Sequence, residues 1–137
     1  MKKLIVILLT FISVTSCGYA QSPKTKAKTS TNSELQVLYF HRKQRCVTCR
    51  SIEALTKDVL ESDYKTQMGN GIISFQIIDI STPEGEKIAD KYEVTWSSLI
   101  LDYGGKTVNL TDMGFSYAKN QPEVFKTKLK EEISILL

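Results

Sequence analysis

The 137-residue chain predicts an α/β domain in which a four-stranded mixed sheet carries helices on both faces. Three observations predict it. Short apolar runs of strand length alternate with longer segments whose apolar residues recur at helical spacing. The last two strand-like runs flank Gly104-Gly105, a hairpin signal. The pair Cys46-Val47-Thr48-Cys49 stands where the first strand passes into the first helix.

Leu35-Gln36-Val37-Leu38-Tyr39-Phe40 is a β-rich apolar run with the length of a buried strand. The polar stretch from His41 leads through the cysteines into a helix, which from Arg50 onward carries Ile52, Leu55, Val59 and Leu60 on one face. Gly69-Asn70-Gly71 is a turn. Residues 72–80 form a second strand, apolar enough on both faces to predict an interior position in the sheet. Thr82-Pro83-Glu84 opens a helix with a hydroxyl cap, a proline at the first helical position and an early acid. That helix is expected to reach Tyr92 and to turn Ile88, Ala89 and Tyr92 inward. Residues 98–101 and 106–110 are the hairpin strands, and Pro122-Glu123 opens a last helix with the stripe Phe125, Leu129, Ile133 and Leu136. The order is β-α-β-α-β-β-α. Strands joined through helices are expected to be parallel neighbours, with only the hairpin antiparallel.

The beginning of the chain reads as an export signal over residues 1–16: Lys2 and Lys3, an apolar stretch from Leu4 to Val14, then small residues. That stretch is shorter than the roughly 20 apolar residues of a membrane span. Two cleavage sites compete. Gly18-Tyr19-Ala20 is a small-x-small site for soluble export, whereas Val14-Thr15-Ser16-Cys17 resembles the lipobox of bacterial lipoproteins, which are cut before a cysteine that is then acylated. The odd cysteine of three is Cys17, and acylation accounts for it. Residues 17–33 then form a tether; the stretch from Ser22 to Ser33 has no aromatic or branched aliphatic residue with which to offset the entropy of ordering. Residues 34–137 are the domain. The expected location is the cell envelope, as a periplasm-facing lipoprotein or, with the other site, a soluble exported protein.

Charge excludes one class of partner. Losing Lys2 and Lys3 from 18 basic residues leaves 16 against 15 acidic ones, a formal +1 that lacks the basic excess of nucleic-acid binders. The expected mature form is a monomer without a cofactor.

The dithiol carries the chemistry. At a helix start two cysteines three positions apart can bridge, and the first sulfur faces unpaired amides and the positive end of the helix dipole, which favour thiolate over thiol. Cys46 is then the attacking sulfur and Cys49, one turn further in, the resolving one. Arg45 and Arg50 flank the pair and add positive charge; Arg42 and Lys43 read more simply as solvated loop residues. Two other readings stay open: a structural disulfide, weakened by its very short loop, and a metal or arsenite site using Cys46, Cys49 and His41, which lacks a fourth protein ligand. Trp96, with Ser97 and Ser98, lies on a loop suited to substrate contact; Trp96 itself reads first as core packing and second as an aromatic wall beside Cys46.

The β-α-β-α-β-β-α order with this dithiol resembles the thioredoxin fold. More narrowly, Val37-Leu38-Tyr39-Phe40-His41 followed by Arg45-Cys46-Val47-Thr48-Cys49-Arg50-Ser51-Ile52-Glu53 resembles a group of small exported proteins called nitrophenyl-compound nitroreductase subunits of the ArsF type. The resemblance runs from about Leu35 to Leu137 and includes Tyr92, Ser97-Ser98-Leu99 and Leu110-Thr111. It implies a protein thiol, disulfide or reductase as partner and an electron-transfer or accessory role linked to arsenicals or nitroaromatics. Two positions depart from ordinary thioredoxins. Ser98 stands where they carry a cis-proline, and since a cis bond before serine costs about 2.5–4 kcal/mol, a trans loop is expected. Phe40 stands where they bury an acid, with His41 directed to the opposite face by strand alternation.

Overall fold

A computed structural model describes residues 34–137; the export signal at 1–16, Cys17 and the tether to residue 33 lie outside the described residues. The first strand, β1 (Leu35–His41), lies inside a four-stranded sheet of order β2-β1-β3-β4, with β2 (Ile73–Asp79), β3 (Ser98–Tyr103) and β4 (Lys106–Asn109). The helices are α1 (Val47–Asp63), α2 (Lys65–Gly69), α3 (Pro83–Lys91), α4 (Thr111–Tyr117) and α5 (Pro122–Leu136).

Alternation along β1 divides the core in two. Leu35, Val37 and Tyr39 point to one face, where Ile52, Val59 and Leu60 of α1 and Phe125, Leu129, Ile133 and Leu136 of α5 cover them. Leu38 and Phe40 point to the other, where Ile78, Ile100, Ala89 and Val94 close a smaller cluster. The stripe on α5 is the one its periodicity predicts, and Thr82 caps α3 as expected, its hydroxyl oxygen accepting from the Gly85 N–H at 3.1 Å.

The strand directions correct the expectation of parallel neighbours. Only β1 and β2 are parallel, with Leu35 opposite Ile73; β3 runs antiparallel to β1, with Phe40 opposite Ser98. The reason is the length of the connection. The chain leaves β2 at Asp79, opposite His41, and re-enters the sheet at Ser98, opposite Phe40. The nine-residue α3 and its following loop therefore return the chain to the end it left, and β3 has to run back. This reversal brings Ser97 and Ser98 to the end of β1 that leads into the dithiol.

Three further expectations are corrected. β2 is an edge strand rather than an interior one, and Ile77 is 45% exposed. The helices of the larger face pack over β1 and β3, and the outer strand contributes only Ile73 to that buried cluster. Ile88 is not inward but 37% exposed. Instead Gly85 and Ala89 form the buried line of α3, because the helix lies so close to β2 that a Cβ on Gly85 would meet the Asp79 carbonyl oxygen at 2.0 Å. That contact sets the rotation of the helix and turns Ile88 aside, while Tyr92, half-buried, packs its ring 5.9 Å from that of Phe40. Finally, α2 and α4 add two short helices that the expected element order lacks, whereas α1 begins at Val47, within the dithiol as expected.

Gly85→Ala is therefore expected to force α3 away from the sheet and cost at least about 2 kcal/mol, lowering the melting temperature by about 8–15 °C. Gly69→Ala, whose new methyl meets open space, should leave it unchanged or slightly raised. Thermal unfolding followed by circular dichroism checks both.

Candidate active site

The site is built at the junction of β1 and α1. The strand ends at His41, four polar residues follow, and Cys46 takes an extended conformation (φ −72°, ψ 167°) that makes it the N-cap of α1. A helix leaves its first amides without partners, and a cap side chain normally supplies an oxygen to one of them. Here sulfur does so: the Cys49 N–H donates to Cys46 Sγ at 3.1 Å. No acid occupies the first turn of α1, so no carboxylate competes with the sulfur for the positive end of the helix. Cys46 is exposed and open to a partner.

Cys49 is only 6% exposed. Burial raises its thiol, but hydrogen bonds to the sulfur from Cys46 and Ser97 and from the backbone outweigh burial and leave it below the ordinary thiol range. Cys49 Sγ lies 3.7 Å from Ser97 Oγ, on the loop that β3 returns to this end of the sheet. The structure thus joins three of the residues expected in the site: an exposed Cys46, a buried Cys49 within hydrogen-bonding reach of it, and Ser97 behind them.

The other candidates divide. Ser98 is buried, opens β3 and accepts no substrate-facing position; its hydroxyl donates to the Trp96 carbonyl at 3.2 Å. No cis peptide bond occurs among the described residues, in keeping with the trans loop expected before Ser98. The core-packing reading of Trp96 is corrected. Its ring is 61% exposed and stacks on Phe115 of α4 with centroids 6.0 Å apart and planes 12° from parallel. The pair stands beside Ser97 because the Leu99 N–H donates to Thr111 Oγ1 and the Leu110 N–H to the Leu99 carbonyl, tying the start of α4 to the start of β3.

Of the two flanking arginines, Arg50 is exposed on α1. Arg45 folds back instead, with its guanidinium 5.8 Å from the centre of the Tyr39 ring and paired with the carboxylate of Glu53. Arg42 is exposed but not idle, donating to the Thr95 carbonyl at 2.8 Å across the mouth of the site. His41 turns its Nδ1–H to the Arg42 carbonyl at 3.0 Å, and its ring faces Tyr39 at 6.2 Å. Among the described residues no three His, Cys, Asp or Glu side chains gather as a metal-binding group, so His41 does not complete a ligand set with the cysteines.

Three participants escape sequence reasoning. Tyr39, which reads as a strand core residue, donates its hydroxyl to the Cys49 carbonyl at 2.7 Å. Burial, then the nearby Cys49 charge, push that hydroxyl up to about 12, so it remains a donor at neutral pH. Glu53 lies one helical turn beyond Cys49 on the same side of α1, and that i, i+4 spacing is the only local signal for it. Phe115 had no signal, since its stacking on Trp96 depends on how α4 docks.

No protein-family model matches the chain, and no curated protein matches it. Among solved structures it is similar to the germline-specific thioredoxin Deadhead of Drosophila melanogaster, with a TM-score of 0.51, 16% identity, and 77% of this chain and 84% of that one covered. It is also similar to a thioredoxin of Fasciola hepatica, with a TM-score of 0.49, 23% identity, and coverage of 77% and 83%. The sheet order, the two-faced core and the first of these similarities agree: the chain has the thioredoxin-like α/β fold.

Proposed function

We propose that this protein is a thiol–disulfide oxidoreductase or electron relay, exported and held at the cell envelope by a lipid on Cys17. One observation carries the chemical part: an exposed sulfur, Cys46, caps a helix by accepting the Cys49 N–H, with the Cys49 sulfur buried directly behind it. That arrangement presents one sulfur to a partner and keeps the other, its resolving partner, out of reach of other reagents.

The exchange runs in two steps. The Cys46 thiolate attacks one sulfur of a partner's disulfide, forming a mixed disulfide and expelling the partner's other sulfur as a thiolate. Cys49, deprotonated, then attacks Cys46 Sγ, which closes the Cys46–Cys49 disulfide and releases the partner's second thiolate. Two electrons pass to the partner, and solvent returns protons to its thiols. The reverse sequence oxidises a partner dithiol. Ser97 steadies the buried sulfur, and Trp96 with Phe115 offers an exposed apolar platform adjoining Ser97.

The envelope placement is supported by the leader pattern, the lipobox around Cys17 and the polar tether that follows. The resemblance to ArsF-type nitroreductase subunits suggests a reductase as the electron partner.

Equilibration with glutathione or dithiothreitol followed by thiol trapping should show one reversible two-electron transition at roughly −120 to −270 mV. A pair still oxidised well below about −300 mV would be a structural bond and would overturn the proposal. Cys46→Ser should abolish exchange, whereas Cys49→Ser should accumulate mixed disulfides that reducing agent dissolves. In a bacterial host, Cys17→Ser should move the chain from the membrane pellet to the soluble fraction; an unchanged distribution would refute the lipid anchor.

A further inference from the structure

Beneath the dithiol lies a charged pair that the exchange steps do not use. Arg45 immediately precedes Cys46, and Glu53 follows Cys49 by one helical turn. Their side chains are each 23% exposed and paired with each other. The positive end of the pair is fixed to the site through one ring: Arg45 sits over Tyr39, whose hydroxyl donates to the Cys49 carbonyl at 2.7 Å. The Tyr39 hydroxyl senses the charges of Cys49, Arg45 and Cys46 together, which places the guanidinium within electrostatic range of the same group as both sulfurs.

The remaining charged groups of the elements that meet here are otherwise engaged. Arg42 is held across the loop by the Thr95 carbonyl. His41 is engaged with the Arg42 carbonyl, and Asp79, opposite it on β2, is engaged with the Ser81 N–H at 2.9 Å. Lys43 and Arg50 are exposed, where salt screens them. Ser97, from the loop before β3, is neutral. Arg45 and Glu53 are thus fixed, half-buried charges of opposite sign that flank the dithiol in the chain, with Asp79, half-buried on β2, within electrostatic range of Arg45.

Oxidation removes negative charge from this spot. One thiolate and one thiol become a disulfide, while oxidised glutathione, as the test oxidant, takes two electrons and the thiol proton and leaves as one thiol and one thiolate. A positive charge held nearby favours the reduced side of that balance and a negative charge the oxidised side.

We propose that the Arg45–Glu53 pair, anchored through Arg45 on Tyr39, sets the redox poise of the dithiol, with Arg45 favouring the reduced state and Glu53 restraining it. Both are positioning residues in this role, since they act through the sulfurs. The inference rests on the exchange reading above and deepens it.

The test uses opposite signs. The full-length chain is equilibrated with glutathione mixtures at pH 8, and the trapped dithiol and disulfide are quantified. Arg45→Met should shift the equilibrium about three- to tenfold toward the disulfide, and Glu53→Gln about threefold toward the dithiol. Arg45→Lys, which keeps the charge, should stay within about twofold of the native chain. A merely structural pair would move both variants in one direction or neither. Either result, in a native chain that titrates reversibly, overturns this inference and leaves the exchange reading intact. A native chain that does not titrate reversibly overturns both. Should Arg45→Met fail to fold, the sign of the near-isosteric Glu53→Gln decides alone.

Discussion

Everything in the site depends on one unusual cap. A helix beginning at Val47 has to satisfy its first amides, and the residue in position to do so is a cysteine whose sulfur accepts the Cys49 N–H. Sulfur is a weak acceptor when protonated and a much better one when ionised. The same contact draws Cys49 inward under Cys46. Geometry that would be needed to end a loop and start a helix is thereby also the geometry of a reactive pair.

The sheet serves that junction. β1 is flanked on both sides, so its end is held by β2 and β3 together. The short connection through α3 forces β3 to run back from the same end, and this puts Ser97 against Cys49 and Trp96 at the surface beside it. A longer crossover helix would have delivered β3 from the far end of the sheet, and no loop would have stood behind the buried sulfur. Strand direction is thus a condition of the chemistry as much as of the packing.

Much of this was legible in the residues alone, wherever a period or a local motif carried it. The stripe on α5, the Gly104-Gly105 hairpin, the Thr82-Pro83 start and the dithiol at a strand-to-helix junction all depend on neighbours within a few positions. What was not legible depended on distance. The edge position of β2 follows from which strands the helices cover, and Ile77 looks like core in any window of sequence. Ile88 lost its inward place to Gly85, whose missing side chain, rather than any apolar one, decides how α3 sits. α2 and α4, at five and seven residues, are too short to show a helical period. Arg45 could be recognised as a charge beside the cysteines, but its partner Glu53 and its seat on Tyr39 required the fold.

The unequal division of the core has a consequence for how the molecule breathes. One face of the sheet is sealed by the long helices α1 and α5 over a cluster of many large side chains, the other by the nine-residue α3 over a small one. Detaching α3 uncovers far less apolar surface than detaching α5, so local opening is cheapest on that side. Amide protons of α3 should accordingly exchange with solvent well before those of α5. The loop that carries Ser97 and Trp96 continues directly from α3, so the least protected layer of the domain is also the one that adjoins its reactive sulfurs.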